Sequence, residues 1–268
     1  MTPSRAICAL TIAGSDCGGG AGVQADLKTF AAHGIHGLSA LTALTAQNTR
    51  RVGAVHVPPP RFLRAQIDAC FEDFQIGAVK IGMLGSARVI EVVADALEHW
   101  QPRFVVLDPV LRASSGEALL PPAAARTLRK RLLPLATLLT PNLPEASWLL
   151  GHPVTATAPS SDRALAELLQ LGPAAILLKG GHGRAESVID RFADGNQRTA
   201  FRHPRLKVQG HGTGCALSSA IAANVCLGMD LPTACEQAIE FVHGALLRAQ
   251  ALGCGKVAIL DHFWRDEK

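Results

Sequence analysis

The chain has 268 residues, 48% of them hydrophobic, with 26 Lys and Arg against 22 Asp and Glu and a formal charge of +4. That is enough apolar material for one large core or two small ones, and we expect one α/β domain over 1–268. The basic residues are scattered, which argues against a nucleic-acid or membrane partner and leaves room for a small anionic ligand.

The seven cysteines are odd in number, have no C-x-x-C pair and fall partly in apolar segments, so they read as reduced thiols of a cytoplasmic protein. No stretch reaches the roughly eighteen apolar residues of a membrane span, and Arg5 is not followed by a sustained apolar run leading to a small-residue cleavage site, so no leader is expected.

Residues 6–13 form an apolar run too short for a helix, closed by Gly14-Ser15-Asp16, and predict a buried central strand. Gly18 to Gly22 then open a helix through Val23, Leu27, Phe30 and Ala31 that stops at Gly34. These glycines lack the Lys-Ser/Thr of a P-loop and do not form a G-x-G-x-x-G with its acidic partner. Asp26, on the first turns, reads as a ligand contact or as a partner of the helix dipole.

Residues 37–46 predict the next strand, ending at Gln47-Asn48-Thr49. Ligands of open α/β sheets bind beyond the carboxyl ends of strands, which aims the Gln47 amide at a heterocycle unless this is a plain surface loop. A short, possible edge strand over 52–57 and Pro58-Pro59-Pro60 precede a helix with Phe62, Ile67, Cys70 and Phe71 on its apolar side. The run 78–84 is strand-like, with Lys80 unusual in so apolar a segment, and 89–97 is helical. Strand 104–107 leads into Asp108-Pro109-Val110, which places a carboxylate at a strand's carboxyl end.

Helix signals over 121–133 and a strand over 136–140 lead to Pro141-Asn142-Leu143-Pro144-Glu145. Asn142 and Glu145 either reach a hydrated Mg²⁺ together or form an N-cap and capping box. A helix over 165–171 and a buried strand over 174–179 end at Lys179, before Gly180-Gly181-His182-Gly183, where the lysine suits a phosphate contact or simply solvent. A hairpin with its turn at Asp194-Gly195 follows, then helices over 216–226 and 234–252 and a last strand over 256–260.

The organising stretch is Gly210-His211-Gly212-Thr213-Gly214-Cys215, followed at once by small, good helix formers. Such a helix start offers unpaired N–H groups and the positive end of the macrodipole to a phosphate. Cys215 falls in that first turn, where the same field is expected to lower a thiol from about 8.5 and make it a base. A small cysteine packed under a helix is the plain alternative.

Alternating strands and helices imply a three-layer α/β/α sandwich with a mainly parallel central sheet. Taken in order, the motifs resemble one family closely. They are Ala13-Gly14-Ser15-Asp16 with Gly19 to Thr29, Ala43 to Thr49, Lys80-Ile81-Gly82-Met83-Leu84, Thr140 to Ala146, Lys179 to His182 and His211 to Cys215. From about Leu10 to Leu252 they resemble the hydroxymethylpyrimidine/phosphomethylpyrimidine kinases of thiamine biosynthesis, in the ribokinase-like superfamily.

The resemblance implies a ribokinase-like fold and two ATP-dependent steps, phosphorylating 4-amino-5-hydroxymethyl-2-methylpyrimidine to its mono- and then its diphosphate. It assigns Gln47, Asp26, the Gly14 backbone, Met83 and Val110 to the pyrimidine. It assigns Lys179, Asn142, Gly212 and Gly214 to ATP, and Glu145 with Asn142 to Mg²⁺. Cys215, with Gly212, Thr213 and Gly214 as the anion hole, is the catalytic set, and the cysteine stands where sugar kinases of the superfamily carry aspartate. A homodimer is the family's expectation.

Cys17-Gly18 departs from the family's usual Pro-Ser, and Asp108-Pro109 varies there, so the resemblance assigns Asp108 no role. Pyridoxal and sugar kinases are rivals within the class, countered by Gln47 and Cys215. A silent pyrimidine-binding regulator would not need the apparently complete phosphate loop, and an NAD-dependent dehydrogenase would need the missing glycine fingerprint.

Overall fold

A computed structural model describes residues 6–112, 117, 119–181 and 185–265; Arg5, His182 and Gly183, named above, lie outside them. The first strand, β1 (Cys8–Asp16), is buried along nearly its whole length and runs through the Gly14-Ser15-Asp16 stop expected from sequence. Helix α1 (Gly22–Ala32), β2 (His36–Gln47), the edge strand β3 (Val52–His56), α2 (Pro60–Asp73), β4 (Ile76–Ile81), α3 (Ala87–Trp100) and β5 (Val105–Leu107) follow.

Residues 122–135 hold a face inward through Leu128, Leu132 and Leu133, but they are not the regular helix expected. A one-turn α4 (Ala125–Thr127) sits among 3₁₀ and π turns. Pro134, which has no N–H and crowds the preceding turn, accounts for the break at the end.

Strand β6 (Leu138–Leu139), α5 (Leu143–Leu150), α6 (Ala158–Leu169), β7 (Ala175–Leu178) and the hairpin of β8 (Ser187–Asp194) with β9 (Arg198–Pro204) complete the main sheet. Its order is β3-β2-β1-β4-β5-β6-β7-β8-β9. Pairings from β2 through β7 are parallel, and β3, β8 and β9 are antiparallel additions at the two edges.

Successive strand residues alternate between two cores, as the pleat dictates. Leu10, Val79 and Leu107 face α2, α3, α5 and α6. Ala9, Ala78 and Val106 face α1 and the two last helices, α7 (Thr213–Cys226) and α8 (Leu231–Leu247). Every residue of α7 from Ala216 to Cys226 is buried; its Ala and Ser side chains let the neighbouring elements approach closely.

Helix α8 ends at Leu247, earlier than the expected 252. The last strand, β11 (Ala258–Ile259), is not in the main sheet: it pairs in parallel with β10 (Gly210–His211) and pins the loop that opens α7. The chain leaves β1 toward β2 and returns on its other side at β4, so the loops part there and open a crevice at the carboxyl ends. No described helix is long and apolar enough to cross a membrane.

Candidate active site

A cleft of about 630 Å³ opens at that edge of the sheet, lined by Gly14, Gln47, Met83 and Val110 as well as by Asn142, Glu145, Lys179 and the loop from Gly212 to Cys215. Every residue expected at the site reaches its wall except Asp26. That carboxylate is 0% exposed and fully used inside the core. Lys80 Nζ donates to both of its oxygens at 2.8 and 2.7 Å, Thr11 at 2.6 Å and Ser219 at 2.8 Å. The expectation of a pyrimidine contact at Asp26 is therefore corrected: it is the buried counterion of Lys80, and Lys80 is the member of the pair that reaches the cleft.

At the phosphate end, Gly212 is the N-cap of α7 with φ of 80°, and a Cβ there would collide with the Gly20 carbonyl oxygen. Only glycine suits both demands. Thr213, Gly214 and Cys215 then supply the first turn, at the positive end of a fourteen-residue helix.

Cys215 does not have the lowered thiol pKa expected from that field. Burial pushes it up to about 11, with Asp26 and Asp108 adding to the effect, against the opposing pull of Lys80 and a backbone hydrogen bond from Gly22. In this cleft desolvation beside two carboxylates outweighs the helix start.

Asp108, at the carboxyl end of β5, accepts from Lys179 Nζ at 2.7 Å, and Glu145 Oε2 lies 3.9 Å from the same ammonium. Burial disfavours charge on Lys179, but the two carboxylates outweigh it and hold the ammonium above its usual value. A Cβ on Gly214 would lie 3.2 Å from Asp108 Oδ2 and 3.5 Å from Lys179 Nζ, so this ion pair touches the start of α7 directly.

Asn142 and Glu145 form the capping box that sequence left as one of two readings. Glu145 N–H donates to Asn142 Oδ1 at 2.9 Å and Asn142 N–H to Glu145 Oε2 at 2.8 Å. The Asn142 oxygen is thus engaged by the helix, and of the two only Glu145 keeps a charge to turn toward the cleft. Burial, then the nearby Asp108, push Glu145 up to about 7, partly offset by Lys179. Two carboxylates crowded at a cleft wall fit the donors a hydrated Mg²⁺ shares with phosphate oxygens.

Glu145→Gln keeps the size and most of the cap and removes the charge. It is expected to raise the Mg²⁺ concentration for half-maximal activity several-fold while moving the melting temperature by less than about 3 °C, as for a change under 1 kcal/mol. Titrating activity with Mg²⁺ at fixed ATP, beside a thermal melt, checks this; an unchanged Mg²⁺ curve would leave Glu145 as a cap alone.

Sequence reasoning assigned no role to Lys80 or Asp108, although each was visible as a charge in or just after an apolar strand. It also missed Asp16 and His211 as a pair: His211 Nε2 lies 2.9 Å from Asp16 Oδ2, joining the first glycine loop to the loop before α7. Nor did it find the apolar end of the cleft at Leu206, Val208, Val242 and Leu246, because no periodic pattern marks residues 205–209.

Residues 16–259 match the family model for phosphomethylpyrimidine kinase. The chain belongs to the phosphomethylpyrimidine kinase family. It is 44% identical over 263 residues to the hydroxymethylpyrimidine/phosphomethylpyrimidine kinase of Escherichia coli (strain K12), covering 97% of this chain and 98% of that one. The protein of the same name from Rhizobium meliloti (strain 1021) is 43% identical, covering 96% and 98%.

Among solved structures, an ADP complex of Bacillus subtilis pyridoxal kinase superposes with a TM-score of 0.88 at 32% identity, over 98% of this chain and 99% of that one. The phosphomethylpyrimidine kinase of Clostridium difficile 630 gives 0.79 at 41%, over 88% and 98%. This phosphomethylpyrimidine kinase family member is accordingly a phosphotransferase with a ribokinase-like fold.

Proposed function

We propose that this kinase phosphorylates 4-amino-5-hydroxymethyl-2-methylpyrimidine to its monophosphate and then to its diphosphate, with ATP and Mg²⁺. One observation carries the reading. The loop 211–214 touches Gln47 at one end, where His211 lies 3.4 Å from its carboxamide, and Lys179 at the other, beside Gly214. A heterocycle anchor and a phosphate anchor thus sit at the two ends of one four-residue loop, which supports a small heterocycle and a phosphate bound side by side.

In this reading Gln47 pairs with the aminopyrimidine edge, the Gly14 backbone helps to hold it, and Met83 and Val110 flank the ring. Cys215 faces the hydroxymethyl group and takes its proton at Sγ. The N–H groups of the α7 start and the Lys179 ammonium hold the γ-phosphoryl oxygens as charge spreads over them. Glu145 and Asp108 would hold Mg²⁺, which neutralises and orients phosphate oxygens when bound.

All seven cysteines are free thiols, which supports a reducing cytoplasmic setting. The homodimer rests on the family resemblance and on the exposed edge strand β3.

Phosphorylation of pyridoxal is the second reading, since a Staphylococcus aureus pyridoxal kinase solved with AMP-PCP and pyridoxal also superposes at 0.89, with 28% identity over 98% of this chain and 96% of that one. Incubation with ATP, Mg²⁺ and a panel of hydroxymethyl pyrimidines, pyridoxals and sugars, with products identified by mass, separates the two. Products from pyridoxal alone would overturn the pyrimidine reading. Gln47→Leu is expected to weaken pyrimidine binding about tenfold to a hundredfold, by leaving the polar ring edge unpaired, while ATP binding persists. Calorimetric titration with each ligand reads this, and equal losses for both would remove Gln47 from the site.

A further inference from the structure

Gln47 is held by two neighbours, and a count of protons fixes which way its carboxamide faces. Asp16, buried at the end of β1, accepts N–H bonds from Gly18 at 2.8 Å, Ala21 at 2.9 Å and Gly20 at 3.2 Å. Burial opposes its charge, but His211 and these N–H groups hold the carboxyl below its usual range. An ionised carboxylate only accepts, so His211 Nε2, at 2.9 Å, carries a proton. The same Nε2 lies 3.4 Å from the Gln47 carboxamide nitrogen, so this rotamer sets N–H against N–H.

At the other end, Thr45 Oγ1 lies 3.1 Å from the carboxamide oxygen. That hydroxyl also lies 2.9 Å from the Ser15 carbonyl oxygen, which accepts its single proton. A protonated nitrogen requires an oxygen opposite it, and a hydroxyl left with lone pairs requires an N–H, so both contacts are satisfied only when a turn about the Gln47 Cγ–Cδ bond exchanges the carboxamide oxygen and nitrogen.

We propose that His211, seated on Asp16, and Thr45, seated on Ser15, lock Gln47 with its oxygen toward the imidazole and its nitrogen toward the hydroxyl, so that the site distinguishes a 4-aminopyrimidine from its 4-oxo counterpart. This rests on the pyrimidine reading above. The outward edge of the locked amide presents one lone pair beside one N–H, the pattern by which Gln and Asn read the amino and ring-nitrogen edge of adenine. An amide free to turn over would pair equally with a carbonyl and ring N–H. Locked, it meets the 4-oxo ligand with oxygen against oxygen and N–H against N–H, the repulsive half of specificity. His211 and Thr45 are positioning residues; neither needs to touch the ring.

The test compares kcat/KM for 4-amino- and 4-oxo-5-hydroxymethyl-2-methylpyrimidine. The wild type is expected to favour the amino compound by about a hundredfold or more, as for a site built to hydrogen-bond its ligand. His211→Phe, which keeps a ring without a donor, and Thr45→Val, which keeps the shape without the hydroxyl, are each expected to reduce that preference by about tenfold or more. The change should fall mainly in KM for the pyrimidine, with KM for ATP steady. A merely structural role would lower both rates together and leave the ratio unchanged, which overturns the lock. If His211→Phe fails to fold, Thr45→Val decides alone, since it leaves the Asp16 contacts in place. A wild type that phosphorylates no pyrimidine overturns the substrate reading and this inference with it; a wild type active on the amino compound, with unchanged ratios in folded variants, overturns the lock alone.

Discussion

Lys80→Met should lower the stability of the protein by about 3–5 kcal/mol, because it strands an uncompensated carboxylate in the core. For a chain of this size that is a fall in melting temperature on the order of 10 °C. Lys80 and Asp26 are both 0% exposed and 2.7 Å apart at their closest atoms. Thr11 and Lys80 are register partners on the adjacent central strands, while Asp26 comes from α1 and Ser219 from α7. The cluster therefore ties two strands to two helices of one layer, and the loss is felt by all four elements.

The double variant Asp26→Asn/Lys80→Met keeps an oxygen for the hydroxyls and removes the stranded charge, so it should regain more than half of the loss. Thermal melts of the two variants read the outcome. A double variant no more stable than Lys80→Met would mean that packing of the lysine stem, not charge, is what the pair supplies.

That cluster also marks where sequence stops being informative. The strands that face two cores are legible because an apolar run too short for a helix has few other fates, and the start of α7 is legible because Gly212 and Gly214 bracket it. Whether Asp26 met a ligand or the core was not legible: its partners are 15, 54 and 193 positions away, and only the folded sheet brings Thr11, Lys80 and Ser219 to it. The same holds for Asp16 and His211, joined across 195 positions.

Asn142 and Glu145 show the opposite limit. Their local pattern offers the capping box that forms, yet the extra charge at the cleft comes from Lys179 and Asp108, which no local pattern reveals. The last strand was identified as a strand but not placed, since two residues of β11 carry no signal of which partner they pair with. The raised thiol of Cys215 is not legible for a related reason: the helix start that favours a thiolate is local, and the burial and carboxylates that oppose it are not.

The largest effect on activity is expected at Cys215, and it should differ between the two chemical steps. The first step removes a proton from an alcohol, so a positioned base should contribute about a hundredfold or more. In the second the nucleophile is a phosphate monoester whose second pKa is about 6, already ionised at neutral pH, and it asks only for placement and charge stabilisation. Cys215→Ala should therefore slow phosphorylation of the hydroxymethylpyrimidine about a hundredfold or more and change that of its monophosphate by less than about threefold.

The raised thiol gives this a pH signature. With the group pushed up to about 11, the thiolate is the minor form throughout the working range, and its population grows with each rise in pH below that value. The first-step rate of the wild type should climb by up to roughly tenfold per unit between pH 7 and 9, and that slope should be lost in Cys215→Ala. The second step should be nearly flat in both proteins once the monophosphate is ionised. Alkylation of the thiol behaves differently, because added bulk at the α7 start blocks the anion site and suppresses both steps. Single-turnover rates from each substrate across this pH range are the measurement. A Cys215→Ala protein slowed equally in both steps, or one that keeps the wild-type slope in the first, would make the cysteine a packing residue and leave proton removal to another group.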